Sequence, residues 1–124
     1  MTISNLIEND DVLKFFSGNK SLVSSILKSI HIYEVSELLT IDIDISLLYS
    51  HTSDIFRIRF QGVIEFSFFH NRDYYFYNIA NLKFLTINNN FYISLDPDES
   101  VASMSHKDND YILSSKLQAF QVAN

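Results

Sequence analysis

Apolar and polar residues alternate without a break in two stretches of the chain, Thr40-Ile41-Asp42-Ile43-Asp44-Ile45-Ser46 and Ile55-Phe56-Arg57-Ile58-Arg59-Phe60-Gln61. A period of two sends successive side chains to opposite faces, so both stretches read as half-buried strands. The polar residues 49–53 between them make the pair a hairpin. With Ile45 opposite Phe56, Ile43 meets Ile58 and Ile41 meets Phe60 on the inner face. The same register sets Asp44 against Arg57 and Asp42 against Arg59 on the outer face. A slip of one residue would break the apolar and the charged ladder together, and this selects the register.

Before the hairpin the apolar spacing changes. Leu6, Ile7, Val12, Leu13, Phe15 and Phe16 recur at steps of roughly three and four, which predicts a short amphipathic helix over 5–16. Ser4 would cap it, and Ser17-Gly18-Asn19 would stop it. Leu22, Val23, Ile26, Leu27 and Ile30 predict a second helix over 21–30, and residues 31–37 open a strand. Beyond the hairpin, Ile64, Phe66 and Phe68 continue the even-numbered apolar set of Phe56, Ile58 and Phe60. Gly62 interrupts that set, so residues 55–69 read as one long strand with a bend or bulge. A turn at 70–73 leads to a strand over 74–79. A second hairpin pairs 82–87 with 91–95 around Asn88-Asn89-Asn90, since Asn tolerates the left-handed backbone of tight turns. Residues 111–120 read as a last strand, with a short helix as the alternative. The expected fold is a single α+β domain over residues 1–124. In it an N-terminal helical pair packs on one face of a mostly antiparallel, five- to six-stranded sheet.

Composition agrees with a packed domain: 47% of the 124 residues are hydrophobic, with 7 Tyr and 11 Phe, enough for a core without covalent staples. The absence of Cys excludes disulfides and thiolate chemistry. Met1-Thr2-Ile3-Ser4-Asn5 has no basic or apolar leader character, and no apolar run reaches the roughly 18 residues of a membrane span. A cytoplasmic, non-membrane protein is the expectation. The net charge of −6 is uneven. Residues 96–110 carry Asp96, Asp98, Glu99, Asp108 and Asp110 against Lys107 alone. Such a field repels nucleic acid and favours a basic partner.

Chemical motifs are sparse. With Gly18 and Gly62 the only glycines, a phosphate-binding loop, a dinucleotide fingerprint and a nucleophile elbow are excluded. His31, His51, His70 and His106 lie too far apart in sequence to suggest a metal set, and no metal or cofactor is expected. The run Tyr74-Tyr75-Phe76-Tyr77 could stack bases, but no Lys/Arg groove accompanies it, so it reads as sheet packing. Asp42 and Asp44 are spoken for by Arg59 and Arg57, which leaves the 96–110 acids uncompensated.

The stretch from Phe76 to Leu85 and the later Phe91-Tyr92-Ile93-Ser94-Leu95-Asp96-Pro97 resemble small bacterial proteins of uncharacterised type. In size and acidity the chain resembles immunity proteins of polymorphic-toxin and contact-dependent growth inhibition systems. That resemblance implies a non-catalytic inhibitor that neutralises a cognate toxin domain, such as a nuclease, and it transfers no site residues. From charge, the expected contact residues are Asp96, Asp98, Glu99, Asp108 and Asp110, with Tyr92 and Tyr111 as anchors. Neutralising Asp98, Glu99, Asp108 and Asp110 together should then slow association and leave stability almost unchanged. The alternative is a small ligand-binding or enzymatic domain with an aromatic-lined pocket.

Overall fold

The computed structural model describes residues 3–17, 21–47, 55–70, 72–73 and 78–122. The loop at 49–53, His51 and the aromatic run 74–77 lie outside the described residues. The elements in chain order are β1 (Ile3–Glu8), α1 (Asp10–Phe15), β2 (Ile26–Val35), β3 (Leu38–Ser46), β4 (Ile55–Ser67), β5 (Lys83–Ile87), β6 (Asn90–Asp96) and β7 (Asn109–Val122). All seven strands belong to one antiparallel sheet, ordered β2-β3-β4-β7-β6-β5. β4 lines one side of β7 along nearly its whole length. β6 and β1 share the other side, β6 at residues 109–114 and β1 at residues 118–122.

The central hairpin has the expected register. Asp42 pairs with Arg59, Ile43 with Ile58, Asp44 with Arg57 and Ile45 with Phe56. Ile41, Ile43, Ile45, Ile58 and Phe60 are fully buried, and Phe56 packs against them. Asn88 and Asn89 both take positive φ in the two-residue turn between β5 and β6, as the second hairpin requires. β7 is a strand, so the helical alternative for residues 111–120 falls away.

Among the described residues the expected N-terminal helical pair is absent, and the α+β reading gives way to a mostly β fold with one short helix. β-bulges explain the misreading. In β2 the register shifts between Leu27 and Ser29, so Leu27 opposite Ile45 and Ile30 opposite Ile43 face the same way at a spacing of three. One extra residue in a strand thus imitates a helical step. In β1 a shift between Ser4 and Ile7 likewise sets positions three apart against Gln121 and Ala119, two apart. Pairing with β3 and β7 then decides the backbone over its local preference. Of the first predicted helix, residues 10–15 survive as α1. So short a helix is held by packing: Val12 and Phe16 are buried, and the Phe15, Phe16 and Phe56 rings meet edge to face or tilted at 4.9–5.8 Å.

The anticipated irregularity at Gly62 is present and sets the shape of the long strands. Gly62 has φ of 61°, and a Cβ there would lie 2.4 Å from Ser115 Oγ, so no other residue fits without a shift. The register slips again between Val63 and Glu65, which leaves Ile64 as the extra, exposed residue instead of a member of the even-numbered face. Opposite this site, the core positions of β7 change from Ile112 and Ser114 to Leu117 and Ala119.

The sheet also curls. Ile26 of β2 bridges to Asn78, and Ile79 exchanges backbone bonds with Ser24 and Ser25 (2.6 and 3.1 Å). A flat path from β2 to β5 would span five gaps of about 4.8 Å, roughly 24 Å. The four residues from Ile79 to Lys83 reach only about 14 Å. The concave face therefore encloses the core, to which Val12, Phe16, Leu22 and Ile79 contribute from outside the strands. No helix among the described residues is long and apolar enough to cross a membrane.

Candidate functional site

The convex face of β6 and β7 carries Tyr92, Ser94, Tyr111 and Leu113, because these alternate with the core residues Ile93 and Ile112. β5 adds Lys83 opposite Ser94, and β4 adds Glu65 opposite Leu113. Residues 97–108, which join β6 to β7, fold back over this face. Asp108 is their anchor. Its carboxylate accepts hydrogen bonds from Lys83 Nζ (2.8 Å), Tyr92 Oη (2.6 Å), Asp98 N (2.8 Å) and Ser105 N (3.0 Å). The Lys83 ammonium also donates to the Ser103 carbonyl at 2.7 Å. Both charges are taken from water, with side chains 7% and 0% exposed for Lys83 and Asp108.

Burial alone would raise the Asp108 pKa, but the donors from Lys83, Tyr92 and the backbone of Asp98 and Ser105 outweigh it and hold the group at about 2. Burial, then the bond to Asp108, pushes the Tyr92 hydroxyl far above its usual range, so it remains a donor. Asp98 is lowered chiefly by Ser100, whose hydroxyl (2.7 Å) and N–H (3.1 Å) both reach its Oδ1, with Ser105 Oγ on its other oxygen.

The acids expected to face a partner are thus dispersed. Asp108 and Asp110 are buried, Asp110 accepting the Phe69 N–H at 2.8 Å. Asp96 is half-buried, within 3.4 Å of Asn109 Nδ2. Glu99 is exposed and bonded to Asn81, and Asp98 fastens its own loop. Tyr92 is buried, whereas Tyr111 is half-buried. The premise of uncompensated charge fails at Asp108 because its counter-ion stands 25 residues away in sequence. It follows that the quadruple neutralisation would strike buried groups and cost stability.

A cleft of about 280 Å³ opens beside this anchor, lined by Glu65, Tyr92, Met104, Ser105, His106 and Tyr111. The Tyr111 hydroxyl donates to Glu65, which raises the tyrosine, and the Tyr92 and Tyr111 ring centroids are 5.9 Å apart. Sequence pattern points to the two tyrosines, reads His106 only as one of four scattered histidines, and gives no sign of Glu65 or Met104. Glu65 sits just after the bulge, where alternation no longer tells faces apart, and Met104 and His106 belong to a loop without periodicity. Among the described residues no cluster of three or more His, Asp or Glu could hold a metal ion.

A second feature lies where β4 outruns β3. The two-residue turn at Ser36 and Glu37, both with positive φ, ends the β2–β3 hairpin, and Thr40 near it pairs with Gln61 just before Gly62. Val35 (52%) and Leu38 (57%) are exposed as a cross-strand pair at this end and Ile64 (56%) at the β4 bulge, whereas the exposed Ile32 and Phe66 lie opposite the core residues Ile41 and Ile112 on the other face. Glu37 and Glu65, next to Leu38 and Ile64 in sequence, are also exposed. No described strand pairs with β2 along most of its outer edge. No family model, curated protein or solved structure matches the chain.

Proposed function

We propose that this protein is a non-catalytic binding protein that occupies and blocks a basic protein partner, an immunity protein for a bacterial toxin domain. One observation carries the reading: Val35 and Leu38, paired beside the β2–β3 turn, and Ile64 at the β4 bulge are large exposed apolar side chains with the acids Glu37 and Glu65 next to them in sequence. Isolated exposed apolar residues are ordinary, but grouped ones mark interaction surfaces. Val35, Leu38 and Ile64 would form a desolvated centre, and Glu37 and Glu65 a rim that selects a partner with apolar residues ringed by Lys or Arg. Size and net charge support the same class. On this reading the contact surface does not include the 96–110 acids.

The test is co-expression with the toxin domain encoded beside its gene. Protection of the host and a stable complex in size-exclusion chromatography are expected, and Leu38→Asp with Ile64→Asp should abolish both while leaving the circular dichroism spectrum intact. A neighbouring product that is neither toxic nor bound, or a complex indifferent to the double substitution, would defeat the proposal. The cleft favours a second reading, a small-ligand domain, through its two tyrosines and carboxylate.

A further inference from the structure

We propose that the cleft beside Asp108 is a binding site for a guanidinium group. Its chemistry is set by the polar atoms that remain unspent. The donors that could have greeted an anion are consumed: the Ser105 and Asp98 N–H groups and the Tyr92 hydroxyl all point to Asp108. The Lys83 ammonium is shared between Asp108 and the Ser103 carbonyl and is shielded from solvent. What the walls still offer is mainly electron-rich. The Glu65 carboxylate receives one bond from Tyr111 and keeps the remaining capacity of its two oxygens. The half-buried Tyr111 presents a ring, and Met104, 45% exposed, presents a thioether at the rim. His106 is the one lining side chain able to carry positive charge.

A carboxylate beside an aromatic face is a cation site by its chemistry. Among biological cations the guanidinium fits this pair best. Its planar fork gives two parallel N–H bonds to a carboxylate while its face stacks on a ring, whereas an ammonium does one or the other. Volume agrees, because about 280 Å³ is just below the range of about 300–1,000 Å³ typical of sites for drug-sized ligands. One arginine side chain or a free guanidino compound would fill it. Glu65 also belongs to the rim of the proposed protein-binding end, so an arginine displayed by the partner is within the same footprint. The inference rests on that proposal only for the source of the guanidinium, not for its recognition.

The experiment titrates the 15N-labelled full-length protein with L-arginine amide and, separately, with its neutral isostere citrulline amide. Arginine amide should shift the amides of Glu65, Ser105, His106 and Tyr111 with millimolar affinity, and citrulline amide should not. Glu65→Gln should weaken binding about tenfold, the size expected for losing a charge-assisted pair. Tyr111→Phe keeps the ring and releases Glu65, so it should bind at least as tightly as the wild type. Equal shifts with both amides, shifts centred elsewhere, or a Glu65→Gln variant of unchanged affinity would overturn the assignment. A third ligand, the peptide Gly-Arg-Gly, separates the sources: binding as tight as arginine amide assigns the cleft to a displayed side chain, and weaker binding to a free compound. Arginine amide binding in a protein that meets no toxin would retain the cleft and discard the function proposed above.

Discussion

Asp42 and Asp44 meet their arginines across adjacent strands, whereas Asp108 meets Lys83 beneath a loop. In the first region Arg59 bonds Asp42 at 2.9 and 3.1 Å and Arg57 bonds Asp44 at 2.7 and 3.0 Å, two parallel forks that remain 6–27% exposed. Tyr33 adds a bond to Asp42 at 3.0 Å, and the Arg59 guanidinium lies 5.2 Å from the Phe120 ring centre. In the second region a single carboxylate gathers four donors from four residues and fixes a whole connection. The ladder repeats what the strand register already determines. The anchor determines something no strand register supplies, the path of residues 97–108. A pair that accompanies structure costs little to lose, and a pair that creates it costs much.

Four measurements test that contrast, in descending order of size. Asp108→Asn leaves a buried ammonium without its counter-charge and should cost about 3–5 kcal/mol in urea unfolding. A loss below about 1 kcal/mol would make the anchor no more important than the ladder. Acid titration comes next. The Asp108 pKa is depressed in the folded protein, so its contribution is complete above the unfolded value and fades as pH falls from about 4 towards 2. A depression to about 2 corresponds to roughly 2 kcal/mol, visible as a fall in unfolding free energy that Asp108→Asn should largely remove. Third, Asp42→Asn should cost about 1–2 kcal/mol, more than Asp44→Asn at about 1 or less, because only Asp42 also serves Tyr33. Equal costs would mean that the tyrosine bond adds nothing. Last, Glu99→Gln should change stability by under about 0.5 kcal/mol, since its bond to Asn81 lies in water.

The same contrast explains what was legible in the sequence. The ladder could be read because each acid and its arginine occupy the same face in a two-residue period. Every pairing from Thr40 with Gln61 to Ile45 with Phe56 follows from that period. The bulges at Lys28 and between Ser4 and Ile7 could not be read, because an inserted residue changes the apparent period and nothing local marks it. Gly62 was legible because glycine itself is the mark. Of the site, Tyr92 and Tyr111 were visible as aromatics flanking acids. The ion pair of Asp108 was hidden, since Lys83 stands in an apolar stretch with no acid near it in sequence. Counting charge along a short segment fails wherever the fold supplies the counter-ion from another strand.

The place of β7 has a kinetic consequence. β1, β4 and β6 all find their partner in residues 109–122, so each precedes in the chain the strand that completes it. The bond from Leu117 N to Asn9 Oδ1 closes a separation of 108 residues. At roughly 5–20 residues per second on the ribosome, β1 waits about 5–20 s before its neighbour exists. Until then β4 presents an edge of unpaired backbone N–H and C=O groups that β7 will cover, and contacts of such long range also make the search itself slow. Synthesis of this protein therefore passes through a period in which its sheet lacks its middle, and chaperone demand should be concentrated there.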